Sequence, residues 1–417
     1  MQKIVQMGKN MEKCEEYQDR TDFCRFLHTF RGSAPYFLLT IEKGYDILKI
    51  AYTKTENGQH RRRDTAFMGK KVTIQDIADA LGVSRNTVSK AINNADGLAE
   101  VTREKILQKA VEMGYKQFSY VQSLYRSAET ARPEPKGEIA LLTTFYFGGS
   151  HFAGTMLDGL QRELGQLGYR INIHMVQPED IQKKTLPFTF LPEEVSAVVC
   201  VEMFDWAYDK MLCELGLPIL FVDSPVRFNG RALPADHLYM DNTTELSRLL
   251  NAALKKGLRR IGFLGDYMHC QSFFERYMAF RTVMLLADVP VDERFIIRGN
   301  NTLELFQELE HLPEMPELFL CANDFVAYDA LRILRKLGRT VPEDVMLCGF
   351  DNAPESRMVV PAITTFHIHT QIMAYSAAQL LVSRIQEPSL DYRRIYTETE
   401  LVLRESTGDL RVEEAST

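Results

Sequence analysis

Polar side chains that can hydrogen-bond to DNA recur between residues 85 and 93 at the spacing of one helical face. They are Arg85, Asn86, Ser89, Lys90 and Asn93. Guanidinium and carboxamide groups can bind base edges in the major groove through paired hydrogen bonds, whereas hydroxyl and ammonium groups suit phosphates. This stretch therefore predicts recognition of double-stranded DNA, provided that neighbouring elements direct the face toward the groove.

Two short helices around a tight turn are predicted for residues 72–93. Gly82 supplies the left-handed backbone that a sharp turn needs, and Ser84 is suited to cap the second helix. The apolar residues expected to hold the helices together are Ile74, Ile77, Ala78, Leu81, Val83, Val88, Ala91 and Ile92. Their helical period favours a helix-turn-helix, with an ordinary helical hairpin bearing a polar face as the alternative.

A third amphipathic helix is predicted from Val101 to Gly114. The whole stretch from Val72 to Tyr115 closely resembles the DNA-binding headpiece of the lactose-repressor/galactose-repressor family, including the opening Val-Thr-Ile-Gln-Asp-Ile-Ala and the run Thr-Arg-Glu-Lys-Ile in the third helix. The resemblance implies that Arg85, Asn86 and Lys90 select sequence, whereas Ser84 and Thr87 mainly position the backbone. The implied DNA-binding residues of the headpiece are Thr73, Ser84, Arg85, Asn86, Thr87, Ser89, Lys90 and Asn93.

Residues 118–126 occupy the place of the family's hinge helix. Val121 and Leu124 match its apolar positions, and the resemblance implies that Leu124 enters the minor groove as a wedge that kinks the duplex. The chain departs from the family where Lys116-Gln117-Phe118 replaces the usual Pro-Asn after the tyrosine. We therefore expect a headpiece over residues 68–116 and a hinge and linker over residues 117–136.

The 67 residues before the headpiece show no signal-peptide pattern and resemble no known domain. Residues 35–42 and 45–52 are candidate strands, and Gln59-His-Arg-Arg-Arg63 is a basic run. This segment is a basic arm that touches DNA, an extension that packs on nothing, or the product of a misassigned start, with translation beginning at Met68. We favour the last interpretation.

Length and composition indicate a protein of several domains. A chain of 417 residues exceeds what one hydrophobic core holds, and its net charge of −7 gives no overall signal for nucleic acid. Its 7 cysteines are scattered without a Cys-x-x-Cys pair, as expected for reduced thiols in the cytoplasm. No apolar run approaches the ~18 residues of a membrane span, so no membrane association is expected.

From Gly137 onward apolar strands alternate with amphipathic helices, the pattern of a doubly wound parallel sheet. Candidate strands are residues 139–144, 170–174, 196–201, 218–222, 260–264, 318–321 and 345–348. Here the chain again resembles the repressor family, through Met240-Asp-Asn242, Ala322-Asn-Asp-Phe-Val-Ala327 and Gly349-Phe-Asp-Asn352. The resemblance implies a two-lobed, periplasmic-binding-protein-like core over 137–408. Lobe one is expected at about 137–240 and 369–393, and lobe two at about 241–368 and 394–408, before a tail of residues 409–417.

The resemblance also implies an effector site between the lobes. Its candidate residues are His151, Phe152, Arg276, Asn323 and Asp351. A guanidinium, an amide and a carboxylate at strand ends suit a polyhydroxylated ligand, because each hydroxyl both donates and accepts hydrogen bonds. Plain packing is the alternative for Phe152, and helix capping or turn formation is the alternative for Asp351 and, more strongly, for the neighbouring Asp324.

Two departures weaken an assignment to sugars. Ser224 follows Val222-Asp223 where the family commonly has arginine, and Ile368 lies where the family often has a polar pocket residue. Enzyme motifs are missing from the sequence, and His367 with His369 lacks a third metal ligand at a characteristic spacing. We therefore expect neither a metal nor a cofactor, and no enzymatic activity.

These observations predict an α/β protein with an all-α headpiece that acts as a cytoplasmic transcription regulator. The expected partners are near-palindromic operator DNA, a second copy of the chain and a small, sugar-like effector, and the expected function is repression of carbohydrate-utilisation genes. The alternatives are a small-molecule binding protein with a vestigial headpiece, or an enzyme on the same core. Salt-dependent binding to a palindrome would distinguish the regulator from both.

Overall fold

The computed structural model describes residues 39–43, 46–50, 72–92, 97–113, 115, 133–144, 151–227, 232–299 and 301–412. The strands are β1 (Leu39–Lys43), β2 (Asp46–Ile50), β3 (Gly137–Thr143), β4 (Tyr169–Met175), β5 (Ala197–Val201), β6 (Ile219–Val222), β7 (Asp236–Met240), β8 (Ile261–Leu264), β9 (Ile296–Ile297), β10 (Leu318–Cys321), β11 (Met346–Cys348), β12 (Thr365–Ile368), β13 (Arg394–Thr397) and β14 (Thr399–Val402). The helices are α1 (Ile74–Leu81), α2 (Arg85–Ile92), α3 (Glu100–Met113), α4 (His151–Gln166), α5 (Pro178–Lys183), α6 (Trp206–Cys213), α7 (Thr244–Lys255), α8 (Gln271–Leu286), α9 (Thr302–Glu310), α10 (Asp324–Lys336), α11 (Pro354–Met358) and α12 (Thr370–Gln386).

The chain divides into two units, residues 1–70 and residues 71–417. In the first unit β1 and β2 form an antiparallel pair that runs from Leu39 opposite Ile50 to Lys43 opposite Asp46. β2 falls within the candidate strand of residues 45–52, and β1 overlaps the candidate of residues 35–42 but ends one residue later.

The headpiece consists of α1, α2 and α3 around one small apolar core. Its buried residues come from all three helices and from the residue Tyr115 that follows them. They are Ile77, Ala78, Val88, Ala91, Ile92, Ile106, Leu107, Ala110 and Tyr115. The predicted helix-turn-helix is therefore confirmed, with the apolar stripe of α1 packed against the inward face of α2.

Lobe one is built on a six-stranded parallel sheet of order β13-β7-β6-β5-β3-β4. Successive residues of β3 point to opposite faces, so Ile139 and Leu141 pack in one apolar cluster with α4 and α12. Ala140 and Leu142 pack in another cluster on the α6 side. Helices on both faces explain why these strands are continuously apolar, and they confirm the doubly wound fold.

Lobe two is built on a four-stranded parallel sheet of order β11-β10-β8-β9. Phe319 and Cys321 of β10 pack against α9 and α10. Leu318 and Leu320 belong to the cluster that also includes α7 and α8. The sheet is thus covered on both faces, as in lobe one.

The chain passes between the lobes three times, after β7, after β12 and after β13. Two of these crossings are joined by the antiparallel pair β12 and β14, in which His367 lies opposite Glu400. The expected division at residue 393 differs from the structure, because β13 pairs with β7 and completes the first sheet. Lobe one therefore extends through Thr397.

Two buried acidic residues of lobe one differ in their surroundings. Asp236 of β7 forms an ion pair with Arg384 of α12, with Nε to Oδ2 at 2.9 Å and Nη2 to Oδ1 at 3.0 Å. Asp209 of α6 is 0% exposed, and neither carboxylate oxygen has a hydrogen-bond partner. The pair fastens α12 to the sheet, whereas Asp209 lies among apolar side chains.

Within the described residues, no helix is long and apolar enough to cross a membrane.

Candidate functional site

Local hydrogen bonds fix both helices of the helix-turn-helix. The Thr73 hydroxyl accepts from the Asp76 backbone N–H at 3.2 Å, and the Asp76 carboxylate accepts from the Thr73 backbone N–H at 2.8 Å, which forms a capping box. Gly82 has the left-handed φ of 65°, and its N–H bonds to carbonyls of the last turn of α1. Ser84 Oγ accepts from the Thr87 N–H at 3.1 Å, so the predicted cap of α2 is confirmed.

The outward face of α2 carries the candidate base-reading residues. Arg85, Asn86 and Lys90 are exposed, whereas Thr87 and Ser89 are half-buried. The hydroxyls of Thr73, Ser84 and Thr87 are engaged in the helix caps, and the role of Ser84 and Thr87 at the DNA backbone stays a prediction. This face also contacts the core, because Arg85 Nη2 donates to Glu400 Oε1 of β14 at 2.8 Å.

Some predicted contact residues cannot be placed. Asn93, Val121 and Leu124 lie outside the described residues, and so does the hinge segment that contains the last two. His151 and Phe152 begin α4, but their side chains are likewise outside the description.

A second candidate site lies where the carboxyl ends of strands from both lobes converge. Glu202 follows β5, Asp223 follows β6, and Asp351 lies three residues beyond β11. All three have positive φ, of 53°, 60° and 104°, although none is glycine. Strained backbone of this kind costs about 1–3 kcal/mol per residue and clusters at ligand sites. We call this region the interlobe cleft.

Arg276 of α8 is the central cation of the interlobe cleft and is 2% exposed. Its Nε donates to Asn242 Oδ1 at 2.9 Å, and its Nη1 donates to the Ala322 carbonyl at 2.6 Å. Nη2 lies 3.7 Å from Asp351 Oδ1, and the guanidinium carbon lies 3.5 Å from the ring centroid of Phe350. The guanidinium is therefore held in one orientation before any ligand binds.

Asp351 is the carboxylate that faces Arg276, and its side chain is 18% exposed. Burial raises the pKa of Asp351 to about 8, with Arg276 acting in the opposite direction and the nearby carboxylates of Asp324, Glu202 and Asp223 adding to the rise. The carboxyl group of Asp351 can therefore be protonated or ionised near neutral pH. It can accordingly donate or accept a hydrogen bond with a hydroxyl group of a ligand.

Asn323 lies beside this pair because it precedes α10, whose first residue donates its N–H to the Phe350 carbonyl at 2.8 Å. Asn323 Oδ1 caps the helix by accepting from the Val326 N–H, which leaves the amide nitrogen as the group that could bind a ligand. Asp324 accepts from the Ala353 N–H and the Thr365 hydroxyl, each at 2.8 Å. Asp324 therefore ties α10 to Ala353 and to β12, whereas the cap of α10, the role considered for Asp324 from the sequence, is provided by Asn323.

The sequence prediction missed several residues of the interlobe cleft. Asn242 Nδ2 donates to Glu275 Oε2 at 2.9 Å, so one amide orients both Arg276 and Glu275. Asp223 accepts from the Ser272 N–H at 3.3 Å, which joins lobe one to the first turn of α8. Asn242 is the second residue after β7, and its place near a strand end was the available signal.

The two departures from the family have structural explanations. Ser224 is fully buried, and its hydroxyl lies 2.8 Å from the Tyr239 hydroxyl, so a short side chain is accommodated inside lobe one. Ile368 is 2% exposed and belongs to the apolar cluster of the core.

His367 and His369 have ring centroids 4.9 Å apart. Burial lowers the pKa of His367 to about 4, with His369 adding to the effect, so the ring is neutral at ordinary pH. The described part of the chain holds no group of three or more side chains arranged to bind a metal ion.

Comparison with known proteins matches the headpiece and the later part of the core to two families of domains. The profile for bacterial regulatory proteins of the lacI family matches residues 73–117, and the profile for the periplasmic binding protein-like domain matches residues 250–407. The transcriptional regulator CelR of Thermobifida fusca is 27% identical over 347 residues, which cover 81% of this chain and 98% of CelR. The regulator GalR of Lacticaseibacillus casei is 26% identical over 80% of this chain and 99% of GalR.

Solved structures show the same fold. A CelR–cellobiose complex has a TM-score of 0.56 at 24% identity and covers 80% of this chain and 99% of its own. The lac repressor dimer bound to operator and an anti-inducer has a TM-score of 0.54 at 21% identity and covers 81% of this chain and 99% of its own. The chain thus joins a DNA-binding domain of the bacterial regulatory proteins of the lacI family to a periplasmic binding protein-like core, and over four-fifths of its length it is similar to DNA-binding transcriptional regulators of the lactose-repressor/galactose-repressor type.

Proposed function

We propose that this regulator represses carbohydrate-utilisation genes and that a sugar-like effector in the interlobe cleft controls its affinity for operator DNA. Residues 68–116 bind the operator, residues 117–136 form the hinge and linker, and the core holds the effector. The protein acts as a homodimer on a near-palindromic site, because each headpiece reads one half-site. It works by binding alone and catalyses no reaction.

The observation that carries the proposal is the prearranged group of Arg276, Asp351 and Asn323 between the two lobes. A guanidinium fixed by Asn242 and the Ala322 carbonyl loses little freedom when a ligand arrives. Effector and operator affinity are then linked, because a ligand that contacts both lobes favours one arrangement of the lobes over another.

The charges of the cleft favour an uncharged ligand. Arg276 lies beside Asp351, and the carboxylates of Asp223 and Glu202 act on Asp351 at the same place. The nearby Arg227 is already 3.6 Å from Glu275. These residues offer no excess positive charge to a phosphate, so we propose a neutral sugar and not a sugar phosphate. The cellobiose bound to the related CelR agrees with a neutral sugar.

The first experiment is a thermal-shift screen of neutral mono- and disaccharides, including cellobiose, against sugar phosphates. A ligand at about 100 times its Kd stabilises the folded state by about 2.7 kcal/mol, which is readily measured. Asp351→Asn should lose most of the shift given by the best ligand. Asp288→Asn, an exposed exchange of the same kind, should keep it. Stabilisation by sugar phosphates alone would contradict the proposed ligand class.

The second experiment measures binding to duplexes that the full-length chain selects from a random pool, over a range of salt concentrations. A regulator selects near-palindromes, and its affinity falls steeply with salt. A small-molecule binding protein with a vestigial headpiece would pass the thermal-shift screen and select no duplex. An enzyme would convert the stabilising ligand, whereas the proposed regulator returns it unchanged.

A further inference from the structure

The headpiece rests against the core through an apolar contact and an ion pair. Ile372 and Tyr375 of α12 pack on the apolar cluster of the headpiece. Tyr115, which is 5% exposed, belongs to the same cluster. Burial raises the pKa of Tyr115 to about 12, with the carboxylates of Glu400 and Glu398 adding to the rise, so the ring lies close to β14.

The ion pair involves the residue that opens the recognition helix. Arg85 Nη2 lies 2.8 Å from Glu400 Oε1, and the two residues are separated by 315 positions in the chain. A recognition helix enters the major groove with the side chains of its first turns directed at base edges. Here the Glu400 carboxylate takes the place of a DNA acceptor at the Arg85 guanidinium.

Glu400 and operator DNA therefore compete for the same guanidinium. Both offer anionic or electronegative oxygen to Arg85, and a phosphate brought near Glu400 would be repelled by it. Arg85 can bind a duplex in this way only after its bond to Glu400 is broken.

The competing residue is also close to the interlobe cleft. Glu400 lies opposite His367 in the pair of β14 and β12. His367 in turn forms a bridge with Asp351, whose N–H donates to the Phe366 carbonyl at 3.0 Å. The carboxylate that faces Arg276 and the carboxylate that holds Arg85 are thus connected through one pair of strands.

We infer that Glu400 is an intramolecular competitor of operator DNA, which holds the recognition helix against the core when no operator is bound. This inference rests on the proposed role of Arg85 in reading DNA. It makes β14 part of the regulatory apparatus, because any movement of β12 and β14 that accompanies ligand binding changes how firmly Arg85 is held.

The effect on affinity is expected to be small. The side chains of Arg85 and Glu400 are 62% and 42% exposed, and an exposed ion pair of this kind shifts an equilibrium by about two- to fivefold. Since the docked headpiece cannot bind DNA, its population lowers the apparent affinity in the same proportion. Release of the pair should therefore tighten operator binding by about two- to fivefold.

The test compares Glu400→Gln with Glu310→Gln in the full-length chain. Both remove one negative charge, and Glu310 is exposed at the end of α9 in lobe two. The probe is the duplex that the wild-type chain selects from a random pool. Glu400→Gln should bind it about two- to fivefold more tightly than Glu310→Gln does. Ile372→Ala, which weakens the apolar contact with the headpiece, should also tighten operator binding. It replaces Glu400→Gln in the test if that variant does not fold.

A second measurement needs no DNA. Arginine modification by phenylglyoxal, followed by peptide mass spectrometry, should be faster at Arg85 in Glu400→Gln than in the wild type, with Arg332 of α10 as the internal reference. Faster modification together with tighter operator binding supports the inference. Equal operator affinity in Glu400→Gln and Glu310→Gln overturns it, whatever the modification rate. Failure to select any duplex would instead refute the DNA-binding function itself.

Discussion

Asp209 is the clearest test of the electrostatic reasoning, because its carboxylate is fully buried in lobe one without a hydrogen-bond partner. Burial raises its pKa from 3.8 to about 8, with the charge of Asp205 adding to the rise. The perturbation is Asp209→Ala, which removes the carboxyl group and keeps a residue that favours the helix α6.

The sign follows from proton linkage. Above about pH 4 the unfolded chain carries an ionised Asp209, whereas the folded chain holds it protonated up to about pH 8, so folding takes up a proton. Wild-type stability therefore falls as pH rises from about 4 to 8 and is unaffected by this group at higher pH. At about 1.4 kcal/mol per unit, the change between pH 5 and pH 8 is on the order of 4 kcal/mol.

The assay is urea unfolding of the wild type and of Asp209→Ala at several pH values between 5 and 9. The small cavity and the helix propensity of alanine do not depend on pH, so only the ionisation changes the difference between the two proteins. Asp209→Ala should gain stability relative to the wild type by about 4 kcal/mol from pH 5 to pH 8. A relative change below about 1 kcal/mol would refute the assignment of a buried, neutral carboxyl group. The exposed exchange Asp288→Asn should show no such trend.

Further predictions concern the headpiece and the segment before it. Arg85→Ala and Asn86→Ala should change which duplex is selected from a random pool, at a cost of about 1–3 kcal/mol for each lost bidentate contact, and an unchanged selection would remove them from base reading. Thr73→Ala should weaken the cap of α1 by about 1 kcal/mol, seen as faster amide exchange in α1, whereas unchanged exchange would mean that the capping box contributes nothing. A chain that starts at Met68 should dimerise and bind its selected duplex as tightly as the full chain, and a more than tenfold loss would make residues 61–63 a functional basic arm.

The structure of the headpiece could be predicted closely because it depends on residues that are near one another in the sequence. The helical spacing of Ile77, Ala78 and Leu81, the turn glycine Gly82 and the cap Ser84 all act within a few residues of one another. The strands of the core could be predicted equally well from the sequence, since a strand covered by helices on both faces is continuously apolar.

The hydrogen bonds and ion pairs between residues far apart in the sequence could not be predicted in the same way. Asp236 and Arg384 are 148 positions apart, and Arg276 meets Asn242 across 34 positions, so no spacing rule links either pair. The strand β13 was assigned to the wrong lobe for a related reason, because its partner β7 lies far away in the sequence. Asp209 fits the polar positions of a surface helix, and only the packed structure shows that it faces inward.

The left-handed backbone at the interlobe cleft limits how this protein can evolve. Glu202, Asp223, Asp351 and Asn352 have φ values of 53°, 60°, 104° and 55°. Glycine adopts such values without strain, asparagine and aspartate tolerate them, and β-branched residues do not. Substitutions at these positions that change the ligand preference are therefore restricted to a small set of side chains. A directed-evolution library confined to Asp, Asn and Gly at positions 223, 351 and 352 should retain far more folded members than an unrestricted one.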